Sequence, residues 1–309
     1  MVEMSASRGR AASALHAGEV RIDPHLPRRL VARQFPEWRD LPIRRVPSNG
    51  TDNAIFRLGD DLGIRMPRIG WAAPQVQRES DLLPVLGPLL DVEVPMSVAV
   101  GEPAHGYPFS WLVYRWLEGE DLDHVVPADW LEVAQDLARF ITVLERVDPA
   151  EAPRGGRHGG RMRADDTSVR KCIEGLREAI DADRALAIWD VALEAEDWGA
   201  PPVWVHGDLL PGNVLMREGR VSGVIDWASA GIGDPACELM IAWSLPVDAR
   251  AVFRSSFDFD DATWSRARGW VVEQAVHFIP YYERTIPGGV ASALRRLRAL
   301  LEEDPADGA

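Results

Sequence analysis

The chain has 309 residues, with 34 basic and 48 acidic side chains and a net charge of −14. That length holds two lobes or one large domain, and the acidity argues against nucleic acid as a partner while favouring cationic ligands by long-range attraction. Cys172 and Cys237 lie far apart with no CxxC spacing, which indicates neither a disulfide framework nor zinc, and no apolar run approaches the roughly 18 residues of a membrane span.

Residues 1–19 are rich in Ser, Ala and Arg but lack an apolar segment. They read as a flexible leader, drawn to residue 21, and not as a secretory signal, so a cytoplasmic location is expected. Leu26, Leu30, Val31 and Phe35 share one face of a helix predicted over 20–38. Pro24 lies near its start, where proline is tolerated. Short strands follow at 43–46, 54–58 and 62–66, with turns at 48–52 and 59–61. Val76, Leu82, Leu83, Leu86 and Leu90 mark a helix at 73–90, and strands at 94–100 and 109–116 complete an antiparallel sheet. The run Glu118-Gly119-Glu120-Asp121 shifts the composition and divides the chain into lobes at 22–117 and 118–309. An amphipathic helix at 127–147 places Trp130, Leu137, Ile141 and Leu144 on one face. The Gly/Arg-rich stretch 154–162 reads as a solvated loop, because its arginines are too few for a nucleic-acid patch in an acidic chain. Two more helices lie within 165–196, and others at about 235–244, 247–256, 262–284 and 288–302.

The chemistry concentrates in 205–227, VHGDLLPGNVLMREGRVSGVIDW. Apolar β-type runs at 202–205, 214–216 and 223–225, with a turn at Glu218 and Gly219, put His206, Asp208 and Asn213 in a short loop and Asp226 at a strand end. Two carboxylates and a carboxamide so placed provide the oxygen ligands of a hard divalent cation. They also suit a base that accepts a hydroxyl proton while the cation holds phosphate. A strand-ending Asp or Asn is more often a turn former or cap, but three together outweigh that reading. The chain reads His206-Gly207-Asp208, then Asn213, then Ile225-Asp226-Trp227, then Gly233-Asp234-Pro235-Ala236. This set resembles the aminoglycoside phosphotransferase family, the small-molecule branch of the kinase-like fold, over about residues 22–302.

The resemblance implies a two-lobed α+β, protein-kinase-like fold, with an N-terminal antiparallel sheet and one main helix against a larger, mostly helical C-terminal lobe. It implies transfer of the γ-phosphoryl of ATP or GTP, with Mg²⁺, to a hydroxyl of a small molecule. Asp208 would be the base, His206 would orient its loop, and Asn213 and Asp226 would hold the metal. Asp234 would steady the catalytic loop, and Glu238-Leu239 replaces the family's usual Asp-Leu. Ser48, Asn49, Gly50 and Thr51 occupy the place of the glycine-rich phosphate loop, though with one glycine. Arg65 stands where kinases carry a phosphate-gripping lysine, paired with Glu79; Arg68 is the competing candidate. Arginine binds phosphate in a two-pronged way with a different reach from lysine. Arg115, Trp116 and Leu117 fall at the hinge that would meet the purine. Acceptor contacts would come from Asp208 and from the helix at 262–284, with Trp264, Glu273, His277 and Tyr281 as candidates; Glu273 and His277 share a helix face. Acids there would bind the ammonium groups of an aminoglycoside, and aromatics would line a macrolide or sugar pocket. An antibiotic acceptor and a monomer or weak dimer are expected. Two alternatives stay open: a metabolite kinase for a sugar, choline-like or homoserine-like alcohol, and a nucleotide-binding pseudokinase suggested by Arg65.

Overall fold

The computed structural model describes residues 18–47, 52–150 and 162–303. The first helix, α1 (Leu26–Gln34), is shorter than the 20–38 pattern. It ends because Phe35 precedes Pro36: the proline ring disfavours helical backbone before it, and Phe35 turns to φ −132°, ψ 73°. A five-stranded antiparallel sheet follows, from β1 (Ile43–Arg45), β2 (Asn53–Leu58), β3 (Leu62–Pro67), β4 (Ser97–Gly101) and β5 (Trp111–Arg115), in the order β1-β2-β3-β5-β4. Gly59, at φ 62°, makes the tight turn between β2 and β3. Every residue of β3 is buried, as befits a central strand. Between β3 and β4 runs α2 (Ala73–Leu86), which the Gly87-Pro88 pair converts into a 3₁₀ turn before residue 90.

The C-terminal lobe begins with β6 (Glu120–Asp121) and α3 (Trp130–Glu145). Asp129 sets the start of α3, its carboxylate accepting the Leu131 N–H at 2.8 Å. Next come α4 (Asp166–Gly175), α5 (Ala182–Glu194) and β7 (Val203–Val205). The hairpin of β8 (Val214–Arg217) and β9 (Arg220–Val224) pairs with β6 in a three-stranded sheet, and β7 pairs with β10 (Gly231–Gly233). A 3₁₀ helix, Pro235–Ser244, precedes α6 (Val247–Ser255), α7 (Asp261–Tyr282) and α8 (Pro287–Leu301).

The described residues form two hydrophobic clusters. One lies under the N-terminal sheet, around Leu30, Phe56, Ile64, Met66 and Trp111. The larger surrounds α7 and also takes in Leu82, Leu83 and Leu86 of α2. Trp189, Trp227 and Trp270 are fully buried there, so these aromatics serve packing. Among the described residues no helix is long and apolar enough to cross a membrane.

Candidate active site

Strand β7 delivers His206 into the core, with no exposed surface. Its Nε2 donates to the Ile225 carbonyl at 3.0 Å, and its Nδ1 accepts the Asp208 N–H at 3.3 Å. Burial pushes its pKa down to about 4, against the pull of Asp226. The imidazole is therefore neutral near pH 7, and it ties the loop to the end of β9 while its ring meets Trp227 edge-on at 4.9 Å. Gly207 follows at φ 77°, where a Cβ would stand 2.7 Å from the Ser229 carbonyl, so both backbone and space require glycine. The Gly207 N–H donates to Glu238 Oε1 at 2.7 Å. Asp234 does not steady this loop: it caps Ala236 at 3.0 Å and pairs with the buried Arg266 at 2.6 Å. Glu238 takes that task, one helical turn later, and burial pushes its carboxyl up to about 7.

Asn213 closes the loop. Its Nδ2 donates to the Asp208 carbonyl at 2.9 Å and to Asp208 Oδ2 at 3.2 Å, and its own carbonyl accepts the Ile225 N–H at 2.9 Å. Asp226 sits in the left-handed region, φ 63°, ψ 64°, a conformation that Asp tolerates better than most residues. Its carboxylate lines the cleft, 3.2 Å from Arg65 Nη2.

Arg65 projects from β3 into the same place. Its Nη1 bonds both oxygens of Glu79, and its Nη2 reaches Gln75 Oε1 at 3.2 Å as well as Asp226. Gln75 and Glu79 lie four apart on α2 and so share a face. Burial opposes the charge on Arg65, but Glu79 and Asp226 outweigh it and hold the guanidinium protonated. Arg68 also lines the cleft; burial and the neighbouring Arg45 lower its pKa.

The cleft, of about 910 Å³, runs between the lobes. Arg65, Glu79, Trp116 and Leu117 line one side, and Asp208, Asn213 and Asp226 line the floor. Ser48, Asn49, Gly50 and Thr51 lie outside the described residues. Arg115 is not among the lining residues, and its N–H already donates to the Met96 carbonyl at 2.8 Å, as that of Trp116 does to Asp61 at 2.9 Å. Of the three expected hinge residues, Trp116 and Leu117 line the cleft and Arg115 does not.

The acceptor candidates on α7 lie elsewhere. Trp264 packs in the core against Trp243 and Phe253. Glu273 is buried beside His277, 3.1 Å from its Nδ1, while His277 Nε2 meets Ser168 Oγ at 2.8 Å. Tyr281 is exposed and touches Tyr282. None of the four lines the cleft; Gln274 and Phe278 of the same helix do, with Ser292, Ala293 and Arg296 of α8. Helix α7 is buried on most of its circumference, so the sequence shows no polar stripe from which to choose the cleft-facing side. Arg296 sits in an Arg295-Arg296 pair that reads as solvated surface.

The chain matches the phosphotransferase enzyme family over residues 43–270. It is 27% identical over 150 residues to the aminoglycoside 3'-phosphotransferase of Escherichia coli, a match spanning 44% of this chain and about half, 52%, of that relative. The GDP complex of wild-type aminoglycoside 2'-phosphotransferase-IIIa superposes with a TM-score of 0.69 at 19% identity, covering 91% of this chain and 99% of that one. Macrolide 2'-phosphotransferase MphH from Brachybacterium faecium superposes with a TM-score of 0.59 at 23% identity, covering 91% and 98%. At such identities the structural likeness speaks for the two-lobed kinase-like fold alone. The family match takes in most of the chain, including the loop from His206 to Asn213, the Asp226 turn and the Arg65 strand, and the chain belongs to the phosphotransferase enzyme family.

Proposed function

We propose that the chain transfers the γ-phosphoryl group of ATP or GTP to a hydroxyl of a small molecule. The observation that carries this reading is the convergence of Asp208, Asn213 and Asp226 on the floor of one cleft, facing Arg65. Asp208 accepts the acceptor's hydroxyl proton, and the Asn213 amide fixes the orientation of its carboxylate. Neutral His206 and the Glu238 carboxyl hold the loop in place from below. Arg65, kept protonated, offers fixed positive charge to phosphate oxygens.

Asp226 and Asn213 are the residues that would hold Mg²⁺, and the donor set fits it: hard oxygens at the edge of a cleft. Among the described residues no cluster of three or more His, Cys, Asp or Glu side chains forms a cation cage. Such sparse protein ligation suits Mg²⁺, which keeps waters and takes substrate phosphates as ligands. When bound, the ion supplies neutralisation of phosphate charge.

Aminoglycosides and macrolides are the first acceptors to test, supported by the aminoglycoside 3'-phosphotransferase relative and the fold shared with MphH. A metabolite alcohol is the second reading, favoured by the buried Arg296 in the acceptor wall. The test is NDP release with Mg²⁺ and either nucleotide across both groups, with Asp208→Asn as the blank. That variant should lose on the order of 10²–10⁴ in kcat at unchanged thermal stability. An unimpaired Asp208→Asn protein refutes the assignment of the base. Nucleotide binding without turnover on any acceptor supports a pseudokinase.

A further inference from the structure

The wall of the cleft formed by α7 and α8 carries a cation that the phosphoryl-transfer machinery does not use. Arg296 is 2% exposed and yet lines the cleft. It lies one turn beyond Ser292 on α8, and its Nη2 donates to the Gln274 side-chain oxygen on α7, a neutral partner. Its Nε has no acceptor among the described residues. Burial draws its pKa down to about 10, which still leaves it charged near pH 7.

The carboxylates that act on Arg296 are Asp208 and Asp123, and both have other partners. Asp123 accepts from Ser292 Oγ at 2.6 Å and from Arg295 Nη2 at 3.3 Å. Asp208 accepts from Asn213 at 3.2 Å. Asp121, on the same side of the cleft, is held by His124 at 2.6 Å. A guanidinium taken out of water is unfavourable unless an anion and further hydrogen bonds compensate. Gln274 provides one such bond and fixes the plane of the group. The group lines the cleft, and a planar guanidinium matches carboxylate and phosphate oxygens in pairs.

We propose that Arg296 anchors an anionic group, a carboxylate or a phosphate monoester, carried by the same small molecule as the hydroxyl that meets Asp208. This rests on the phosphotransferase reading above and narrows it: the acceptor is an anionic alcohol, not a polycationic antibiotic. In the reaction the acceptor oxygen forms a bond to the γ-phosphorus and the bond from that phosphorus to the bridging oxygen breaks. The hydroxyl proton passes to Asp208 and the nucleoside diphosphate leaves. Arg296 takes no proton and acts by position and charge.

The test compares wild type, Arg296→Gln and Arg296→Lys in NDP release with Mg²⁺ and ATP or GTP. The acceptor pairs differ in one anionic group: gluconate and its amide, glycerol 3-phosphate and glycerol, with kanamycin as the polycation. Wild type should favour one anion over its neutral counterpart by about tenfold or more in kcat/KM. Arg296→Gln should erase that preference chiefly through KM, and Arg296→Lys should restore part of it; the two pairs distinguish carboxylate from phosphate. Calorimetric titration of gluconate and glycerol 3-phosphate runs alongside, so that binding is read even without turnover. Anion binding lost in Arg296→Gln and partly kept in Arg296→Lys supports the anchor. Equal use of anion and neutral alcohol, a preference for kanamycin, or anion binding unchanged in Arg296→Gln overturns it, and so does the absence of any anion binding. Turnover of neutral or cationic acceptors alone leaves the phosphotransferase reading standing. Anion binding without NDP release from any acceptor removes that reading and retains the anion site.

Discussion

Glu238 makes the stability of the protein depend on pH in a way that one substitution should reveal. Its carboxyl is fully buried, accepts the Gly207 N–H, and is pushed from its ordinary 4.5 up to about 7 by burial. The folded state therefore binds more protons than the unfolded chain between those two values. The stability this contributes is complete below pH 4.5 and is lost as the pH rises through 7. At about 1.4 kcal/mol per pH unit, the shift corresponds to about 3 kcal/mol lost across the window. Glu145, also pushed up to about 7, by burial and then by the charge of Glu238, adds loss of the same sign. His206 works in the other direction: with its pKa drawn down to about 4, its contribution is present above 6.5 and lost as the pH falls through 4. In Glu238→Gln the amide oxygen still accepts from Gly207, while the new NH₂ costs on the order of 1–3 kcal/mol at every pH if left unpaired. Urea unfolding of both proteins from pH 5 to pH 8 isolates the charge, because His206 is common to both. The variant should gain about 3 kcal/mol on wild type over that span, with kcat near neutral pH retained within about threefold since the loop bond persists. Stability profiles that run parallel to within about 0.5 kcal/mol would refute the reasoning.

Gly207→Ala forces a side chain into a left-handed site, which costs about 1–2 kcal/mol, and against the Ser229 carbonyl at 2.7 Å. A lower melting temperature together with a drop in kcat of at least about tenfold is expected; an unchanged enzyme would mean the loop does not pack on Ser229. Arg266→Ala strands the largely buried Asp234 carboxylate and should destabilise by about 3–5 kcal/mol in urea unfolding, and a loss under about 1 kcal/mol would contradict a buried pair. Arg65→Lys keeps the charge but cannot serve Glu79, Gln75 and Asp226 together. It should cost about 1–3 kcal/mol in thermal unfolding, and unaltered stability would show that the three contacts do not act as one network.

Local pattern carried the fold a long way. The strands predicted at 54–58 and 62–66 appear as β2 and β3 within a residue at each end, because alternation and turn residues agree there. Helix ends shifted where a cap or a proline intervened, as at Asp129 and Pro36. Strands β6 and β10, of two and three residues, are too short to show any period; they exist only because β8 and β7 offer edges to pair with. In the site, His206, Asp208, Asn213 and Asp226 come together because short strand-and-turn units hold them, so sequence distance and space agree. Residues on α7 and α8 obey packing between distant helices, and neither Gln274 nor Arg296 differs in kind from a surface residue. The exchange of tasks between Asp234 and Glu238 has the same origin: which of two nearby acids faces the loop depends on how the 3₁₀ segment is rolled against β7.

The large hydrophobic cluster ends inside the N-terminal half of the sequence, since Leu82, Leu83 and Leu86 of α2 belong to it while β3 belongs to the smaller one. Helix α2 packs on β4 and β5 of the sheet that also carries Arg65, so Gln75 and Glu79 hold the guanidinium from within the N-terminal lobe, whereas Asp226 reaches it from the C-terminal lobe. Of the guanidinium's partners only Asp226 comes from the other lobe, so a single 3.2 Å contact joins the sheet to the cleft floor while the two on α2 set the plane of the group.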